Sequence, residues 1–419
     1  MKIGIYVQTW HVGGVAAFCE RLARGLYELR HSPALVLATP YGKRDEAGRL
    51  AYEGLVQTAP FPVVCLHLNA FHPKERGWRA ADQIATLECE AILFSAHQAV
   101  VGSLPFLRHS AALIGIAHTD DEDSYGEFRA AEPYCAAYVG VSSAITATLQ
   151  SLRRALLRPA VRQIPYGVPP AAIPAEVAPG PARILTVSRL VQRQKRVLDL
   201  PLIWRQYLAK GGNGTLTICG PGEETARLRA AFAEDIRCGR VTLTGAVPLE
   251  RMPQIYAAHD ILLSVSAYEG LPLVVLEAAM AGLYPVVSRT RSGHPEILDC
   301  LGEGRLCDIG DLGGFAAALL EISFRLDRVR ALRPRLRARA QEHFNLSRMV
   351  EAYAQLAAET VRTRSQVRPD LLPAEMNLPR PKVDLLRRLA RRWQYSRHYG
   401  WLGGAKITRA VEAQKADRP

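Results

Sequence analysis

Short apolar runs alternate with stretches of helical periodicity along the first part of the chain. Six of these runs are continuous, and they cover residues 2–7, 34–38, 63–66, 91–95, 112–117 and 137–141. Continuous apolar runs are typical of parallel strands that are buried on both faces of a sheet. Residues 15–30 place apolar side chains at helical spacing, as at Phe18, Leu22 and Leu26. The pattern therefore predicts a parallel sheet whose strands are joined by helices.

The alternation of strands and helices is interrupted once and then resumes. Segment 167–182 is rich in Pro, Ala and Gly without periodicity, which is typical of an interdomain linker. Beyond it, the pattern predicts strands at 183–188, 215–219, 241–243, 261–265 and 284–288, and helices at 312–325 and 346–362. We therefore predict an α/β protein with two Rossmann-like, doubly wound domains. Its parts are an N-terminal domain over 1–168, a linker over 169–182, a C-terminal domain over 183–362 and a basic helical tail over 363–419.

Composition narrows the class of protein. The 419 residues are 48% hydrophobic and 22% charged, which suits a globular chain with large cores. No apolar segment reaches the roughly 18 residues of a membrane-spanning helix, and the apolar start is too short for a signal peptide. The eight cysteines include no C-x-x-C pair, which favours free thiols over disulfides or a zinc site. We expect a cytoplasmic protein.

Positive charge is concentrated towards the carboxyl terminus. The formal net charge is +13, and arginines crowd residues 380–397. Residues 382–399 combine this charge with apolar positions, which predicts a basic helix that is either solvated and packed on the body or bound to an anionic membrane surface. A membrane contact through residues 380–400 would make the protein peripheral on the inner face. Because no zinc pattern or recognition-helix motif accompanies the charge, we expect no nucleic-acid partner.

The segment AYEGLPLVVLEAAM, residues 267–280, carries two glutamates with seven residues between them. Glu269 follows the strand predicted at 261–265, and a helix is predicted over 273–281. In a doubly wound sheet the loop between a strand end and a helix start is the ligand site, because backbone N–H groups point at an anion there. Glu277, two turns on, would face the same crevice and could hold ribose hydroxyls. Either acid could instead be a cap or a surface charge, although a carboxylate among the apolar neighbours of Glu277 needs a partner.

This segment, with HDILLSVS before it and AGLYPVVSRTRSGHPEIL after it, resembles the nucleotide-sugar domain of family-4 retaining glycosyltransferases. The resemblance implies a GT-B fold in which the N-terminal domain binds the acceptor and the C-terminal domain binds the nucleotide sugar. It also implies that Glu269 lies near the donor sugar and that Glu277 binds the ribose. It assigns contacts with the diphosphate and sugar to residues between the two acids: Gly270, Leu271 and Leu273. Pro272 stands where many members have Gly and has no N–H, so one amide contact is absent here or supplied elsewhere.

Two cations precede this segment in the same domain. Arg189 lies just past the strand predicted at 183–188, and Lys195 is predicted to open a helix. Fixed cations stabilise a departing diphosphate without a metal. An ordinary basic helix start is the alternative, since Arg193 and Arg196 are basic too. The family carries an Arg and a Lys at this spacing, and the resemblance gives Arg189 and Lys195 the phosphate role.

Glycine turns occur in both predicted domains. The HVGGV loop at residues 11–15 is not a G-x-G-x-x-G fingerprint, but it resembles the family's Gly-Gly loop, which faces the donor phosphates and the acceptor. Glycine also permits a close backbone approach and a positive φ there. The turn that begins at Gly220 resembles the family's turn beneath the nucleotide. Val247 lies in a loop, TGAVP, that meets the base in relatives, and the base stays open between uridine and guanosine. The resemblance therefore assigns four further residues to the donor site: Gly13, Gly14, Gly220 and Val247.

His118 ends the strand predicted at 112–117, where a side chain faces the crevice of a parallel sheet. Relatives often place a hydrogen-bonding His here, although a structural His is the alternative. The acidic run 120–123 contains an Asp-x-Asp, but the Arg/Lys pair already neutralises the phosphates, so we predict a solvated acidic loop and no metal site. Tyr166 stands where many members have Asn, and the resemblance therefore assigns no side-chain role to it.

The residues and the resemblance together predict a retaining, metal-independent glycosyltransferase. It would use a UDP- or GDP-linked donor, no cofactor, and a glycan or lipid-linked acceptor of the bacterial envelope, such as a polysaccharide or lipopolysaccharide precursor. The catalytic candidates are Glu269, His118, Arg189 and Lys195. The alternatives are a nucleotide-sugar epimerase of the same fold and a non-catalytic nucleotide-sugar-binding protein.

Overall fold

The computed structural model describes residues 1–10, 13–39, 46–66, 73–95, 98–107, 111–152, 159–171 and 179–363 of the chain. The predicted basic tail lies outside the described residues from 364 onward, as does the middle of the predicted linker. Within the described part, no helix combines the length and the apolar character needed to cross a membrane. All eight cysteines are free thiols, four of them buried.

The first half of the chain forms one parallel sheet. Its strands are β1 (Lys2–Thr9), β2 (Ser32–Thr39), β3 (Val63–Cys65), β4 (Ala91–Ser95), β5 (Ala112–Ala117), β6 (Ala137–Gly140) and β7 (Ala160–Gln163). In the described residues they lie in the order β3-β2-β1-β4-β5-β6-β7. Ile5 of β1 stands opposite Leu35 on one side and Leu93 on the other. The strand order therefore reverses between β1 and β4, and a crevice opens there at the carboxyl ends.

The second half repeats this arrangement. Its strands are β8 (Arg183–Val187), β9 (Thr215–Cys219), β10 (Val241–Gly245), β11 (Ile261–Ser264), β12 (Tyr284–Ser288) and β13 (Arg305–Cys307). Among the residues described, these form a parallel sheet in the order β10-β9-β8-β11-β12-β13. The order reverses between β8 and β11, which places a second crevice at the end of β11. The loop that carries Glu269 begins there.

Helices cover both faces of the sheets. Those of the first half are α1 (Gly14–Glu28), α2 (Glu46–Thr58), α3 (Pro73–Ala85), α4 (Gln98–Val101), α5 (Leu104–Leu107), α6 (Glu122–Ala131) and α7 (Ser143–Leu152). Those that follow are α8 (Gln192–Lys195), α9 (Leu200–Ala209), α10 (Thr225–Ala231), α11 (Ala233–Arg237), α12 (Met252–Ala257), α13 (Leu273–Met280), α14 (His294–Leu301), α15 (Leu312–Phe324), α16 (Leu326–Ala331), α17 (Arg333–His343) and α18 (Leu346–Thr363). Single 3-10 turns lie at Glu132–Tyr134, Val197–Asp199 and Leu249–Arg251.

The last helix returns to the first sheet. Helix α18 packs against α1, β4 and β5. A Cβ added at Gly25 of α1 would lie 2.5 Å from Cγ2 of Val350 on α18, so the two helices touch closely at this glycine. Val168 forms an isolated bridge with Asn345, just before α18 begins. The helix predicted at 346–362 is therefore present, and it packs on the N-terminal sheet.

The apolar pattern does not predict two of the strands, β7 and β13. Both are short, lie at the edge of their sheet and are partly exposed. An edge strand has a neighbour on one side only, so its sequence need not be a continuous apolar run. The interior strands, by contrast, match the predicted apolar runs to within one or two residues at each end.

Candidate functional site

A pocket of about 250 Å³ lies in the cleft between the two sheets, at the carboxyl ends of their strands. Both domains contribute to its walls. It is lined by every residue that the sequence predicts for the site: Gly13, Gly14, His118, Arg189, Lys195, Gly220, Val247, Glu269, Gly270, Leu271, Leu273 and Glu277. The fold thus brings together positions that lie up to 264 residues apart, from Gly13 to Glu277. The roles of these residues stay predictions.

Glu269 is held in an ion pair beneath the pocket. Its side chain is 7% exposed, and Oε1 accepts a hydrogen bond of 2.5 Å from Nζ of Lys195. Burial by itself raises the pKa of Glu269 and is the largest single effect. The charges of Lys195 and His294, together with hydrogen bonds from Lys195 and Ser266, outweigh burial, and the pKa lies below its ordinary value. Glu269 is therefore a carboxylate at neutral pH, fixed beside a cation that could also face a phosphate.

Glu277 is bound from both domains. Its Oε1 accepts a hydrogen bond of 2.5 Å from Nη2 of Arg21 on α1, across the cleft. Its Oε2 accepts one of 2.8 Å from the hydroxyl of Tyr256 on α12. The sequence indicates that Glu277 needs a partner, but it does not identify Arg21 or Tyr256. The pair joins residues 256 positions apart in the chain, and no local pattern marks such a contact.

The two predicted phosphate-binding cations differ in their surroundings. Arg189 is exposed, and its Nη2 donates to Oε1 of Gln194 at 3.0 Å. Lys195 ends the short helix α8 and does not open a helix, so that prediction is wrong. Arg196 takes a left-handed conformation with φ of 50°, which stops the helix, and α9 begins only at Leu200. The break turns the chain sharply after Lys195, whose side chain pairs with the acid in the pocket.

Two glycine positions bring backbone close to backbone at the site. Gly220 has φ of +135°, and a Cβ there would lie 1.8 Å from the carbonyl oxygen of Ser188, so only glycine fits. A Cβ at Gly270 would lie 1.9 Å from the carbonyl oxygen of His118 in the other domain. Gly13, by contrast, is extended at φ of 167° and meets open space, so no positive φ requires glycine there.

His118 lies at the first-domain side of the pocket with both ring nitrogens bound. Nε2 is 2.8 Å from Oγ of Ser95, and Nδ1 is 2.6 Å from the hydroxyl of Tyr166. Burial lowers the pKa of His118 to about 3, so the ring is neutral at physiological pH. Tyr166 also lines the pocket. The resemblance gives no role to Tyr166, because it names an Asn at this position, but the structure places its hydroxyl on a predicted site residue.

The acidic run 120–123 is not a solvated loop, and this prediction is wrong. Asp121 caps α6 by accepting a hydrogen bond of 2.9 Å from the backbone N–H of Ser124. The side chain of Asp120 is only 4% exposed and pairs with Arg291 from the other domain. It also accepts a hydrogen bond of 2.6 Å from the hydroxyl of Tyr125. The run starts a helix and joins the two domains, and the described residues contain no cluster of three His, Cys, Asp or Glu that could hold a metal ion.

Comparison with known proteins supports the resemblance in the second domain. Residues 181–323 match the family model described as glycosyl transferases group 1. The amylovoran biosynthesis glycosyltransferase AmsK of Erwinia amylovora is 35% identical over 149 residues, which is 34% of this chain and 36% of that protein. The lipopolysaccharide core biosynthesis glycosyltransferase LpsE of Rhizobium meliloti is 36% identical over 148 residues, 34% of this chain and 41% of that protein. The matched region spans a little over a third of these relatives.

Solved structures extend the likeness to both domains. A mutant of S. aureus TarM in complex with UDP and α-GlcNAc-glycerol superposes with a TM-score of 0.69 at 12% identity, covering 85% of this chain and 99% of TarM. Anabaena HepE in complex with UDP and glucose gives a TM-score of 0.68 at 17% identity, covering 86% of this chain and 100% of HepE. At these identities the likeness speaks for the fold. The GT-B architecture and the resemblance to group 1 glycosyltransferases are confirmed.

Proposed function

We propose that this chain is a retaining, metal-independent glycosyltransferase. It moves a sugar from a UDP- or GDP-linked donor to a glycan or lipid-linked acceptor in the synthesis of a bacterial envelope polysaccharide or lipopolysaccharide. The observation that carries the proposal is that Glu269, Glu277, Arg189 and Lys195 all line the same pocket. The sequence likeness of residues 181–323 to glycosyltransferases supports it independently.

We assign each part of a nucleotide-sugar donor to a region of the second domain. The loop containing Val247 would meet the base, and Glu277 would hold ribose hydroxyls. Arg189, Lys195 and the amino terminus of the eight-residue helix α13 offer positive potential to a diphosphate. HepE, whose crystal structure contains UDP and glucose, has the same architecture. Stabilisation by UDP or by GDP would decide between uridine and guanosine.

The reaction we propose proceeds on one face of the sugar. The bond between the anomeric carbon and the phosphate oxygen breaks, and the pair of electrons leaves with the diphosphate. The acceptor oxygen attacks from the same face, and its proton passes to the departing phosphate oxygen. Arg189 and Lys195 stabilise the charge that develops on that diphosphate. Glu269, a carboxylate paired to Lys195 at 2.5 Å, orients the cation and the sugar.

We propose that the acceptor lies at an anionic membrane surface. The basis for this proposal is the positive charge of residues 380–400, which lie outside the described part of the chain. Anionic lipid attracts such segments by about 1 kcal/mol per basic residue near the surface. Deletion of residues 364–419 should abolish co-sedimentation with vesicles containing anionic lipid while leaving nucleotide binding intact. Unchanged sedimentation would refute the membrane contact.

The first experiment measures nucleotide binding by thermal shift. Purified protein is titrated with UDP, GDP and their sugar conjugates, with and without EDTA. A nucleotide at ~100 times its Kd should add about 2.7 kcal/mol to the free energy of unfolding. We expect one base to stabilise the protein, equally in EDTA, and that shift to weaken in Glu277→Gln protein. Transfer to a lipid-linked acceptor extract, followed by NMR of the new anomeric proton, then tests retention.

A matched control separates the site from general stability. Glu75 on α3 is 9% exposed and pairs with Arg79 at 2.7 Å, and it does not line the pocket. Glu75→Gln should therefore bind nucleotide like the wild type. No stabilisation by any nucleotide would reject the glycosyltransferase proposal, and a shift that disappears in EDTA would reject its metal independence. Binding without turnover would favour a non-catalytic protein, and conversion of the donor into its epimer would favour an epimerase.

A further inference from the structure

The side chain of His118 has no ring nitrogen left over. Ser95, at the end of β4, lies 2.8 Å from Nε2, and Tyr166 lies 2.6 Å from Nδ1. Because a neutral imidazole has one N–H donor and one acceptor, the two hydroxyls must play opposite roles towards it. The tautomer of His118 therefore depends on whether Ser95 or Tyr166 is the stronger hydrogen-bond donor.

The ring of Tyr166 is itself held firmly. It is 4% exposed and lies against Phe18 of α1, with ring centroids 5.0 Å apart. It also stacks with His118 at a centroid distance of 6.0 Å and an interplanar angle of 25°. Phe18 meets His118 edge-on at 5.2 Å. Packing of three rings leaves the Tyr166 hydroxyl little freedom to point elsewhere.

The direction of the hydrogen bonds follows from the acidity of the donors. A phenol is a much stronger proton donor than an aliphatic hydroxyl, so Tyr166 donates to Nδ1 and the imidazole proton lies on Nε2, towards Ser95. Burial raises the pKa of Tyr166 well above its ordinary value, and the phenol therefore keeps its proton. Loss of the Tyr166 hydroxyl would leave Nδ1 without its donor and release the ring to the other tautomer.

We propose that Tyr166 is a positioning residue of the sugar subsite, and that its hydroxyl fixes the orientation and the Nε2–H tautomer of His118. The inference rests on the proposed function, because it takes the pocket lined by His118 and Tyr166 to be the place of the transferred sugar. The fixed tautomer gives His118 an Nε2–H donor, which a sugar hydroxyl that enters the pocket would share with Ser95 or take over from it. Discrimination between sugars by a hydrogen-bonding site of this kind depends on such fixed partners.

The test uses two tyrosine-to-phenylalanine variants that differ in one respect. Tyr353 also packs on Phe18, with ring centroids 5.6 Å apart, and is buried like Tyr166. Within the described part of the chain, the Tyr353 hydroxyl has no hydrogen-bond partner. Tyr166→Phe therefore removes a hydroxyl that binds His118, and Tyr353→Phe removes one that binds nothing. Both changes remove one oxygen atom from a buried ring that packs on Phe18.

The first readout is the ring-nitrogen NMR spectrum of protein labelled with 15N-histidine, with His118 assigned through His118→Gln. In the wild type and in Tyr353→Phe protein we expect one neutral Nε2–H tautomer from pH 5 to 8. In Tyr166→Phe protein we expect a mixture of tautomers or the Nδ1–H form. Resonances of His118 that are the same in all three proteins would overturn the inference, whatever the protein catalyses.

The second readout is steady-state transfer. Loss of one neutral hydrogen bond corresponds to roughly a 2- to 12-fold effect. We expect Tyr166→Phe to lower kcat/KM for the sugar donor within that range, to change the preference between epimeric donor sugars, and to leave the Kd of the nucleoside diphosphate unchanged. Unchanged kcat/KM and unchanged preference would refute a sugar-side role. If the wild type transfers no sugar at all, the proposed function fails, and the sugar-side part of this inference fails with it.

Discussion

Asp260→Asn is the substitution whose cost in folding free energy the structure defines best. The side chain stands immediately before β11 and is fully buried. Its oxygens accept hydrogen bonds from Nε of Arg183 at 3.1 Å, from Nε of Arg330 at 3.0 Å and from Nη2 of Arg333 at 3.2 Å. The carboxylate thus ties β8, α16 and α17 to the centre of the second sheet. Asp260→Asn keeps the shape and removes the charge.

The pKa of Asp260 sets a lower limit on the cost. Burial by itself raises this pKa, but hydrogen bonds from Arg330 and Arg183 outweigh burial and lower it to about 2, against an ordinary 3.8. The difference between these two pKa values corresponds to roughly 2–3 kcal/mol of folding free energy. Removing one partner of a buried ion pair costs ~3–5 kcal/mol, because the other charges stay buried. We therefore expect Asp260→Asn to lose about 2–5 kcal/mol.

The sign of the pH dependence follows from the lowered pKa. The stabilisation by Asp260 is complete above the ordinary pKa near 4 and is lost as the pH falls towards 2. The wild type should therefore lose more stability than Asp260→Asn between pH 5 and pH 2. Urea unfolding at several pH values, followed by tryptophan fluorescence, measures both effects. At neutral pH the Tm of the second domain should fall by roughly 5–15 °C.

A surface aspartate provides the matched control. Asp308 pairs with Arg289 at 3.1 Å, but its side chain is 78% exposed, and surface pairs contribute little to stability. Asp308→Asn should unfold at nearly the urea concentration of the wild type at every pH. The reasoning is refuted if Asp260→Asn matches the stability of Asp308→Asn at neutral pH, or if its pH dependence equals that of the wild type.

Three further changes probe the cleft. Gly270→Ala places a Cβ 1.9 Å from the carbonyl oxygen of His118, just after β5, so the two domains must move apart. We expect kcat to fall at least about tenfold and small-angle scattering to show a larger radius of gyration. A compact, active variant would contradict this prediction. Lys195→Met removes the cation that lowers the pKa of Glu269, so that pKa should rise. The acidic limb of the pH–rate profile should therefore move to higher pH. An unmoved limb would show that Glu269 is not the titrating group. Arg21→Ala removes the ion pair with Glu277 across the cleft. We expect Glu277→Gln to weaken nucleotide binding about tenfold or more, and Arg21→Ala to change the nucleotide Kd less, as measured by calorimetry. The reverse ranking would assign the nucleotide contact to Arg21.

The interior of the fold could be predicted because its strands are buried on both faces. Strand β5, for example, is a continuous apolar run, because all six of its positions are buried. The edge strands β7 and β13 could not be predicted, because partial exposure allows polar residues such as Arg162 and Gln163. The prediction that Lys195 opens a helix failed for a different reason. The left-handed Arg196 stops the helix without a Gly or Pro in the sequence.

The site was predictable where its residues follow strand ends in a fixed pattern. Glu269, Arg189 and His118 each come shortly after a strand, and parallel strands bring such positions to one edge. Contacts across the cleft follow no such rule. The pairing of Arg21 with Glu277 depends on how two separately folded sheets face each other, which no local pattern records. The same holds for Asp120, whose partner Arg291 lies in the other domain.

The distribution of charge in the pocket explains why Arg189 and Lys195 would serve a diphosphate differently. Lys195 is shared, because Glu269 already accepts its hydrogen bond at 2.5 Å, and a phosphate must compete with that carboxylate. Arg189 is exposed, and among the described residues no carboxylate lies within ion-pair distance of it. A diphosphate bound as proposed would therefore meet Arg189 as a full charge and Lys195 as a partly compensated one. In the proposed reaction, charge grows on the phosphate as the donor bond breaks, and Lys195 would then gain more by turning towards it. Its contribution would increase towards the transition state and so lower the barrier.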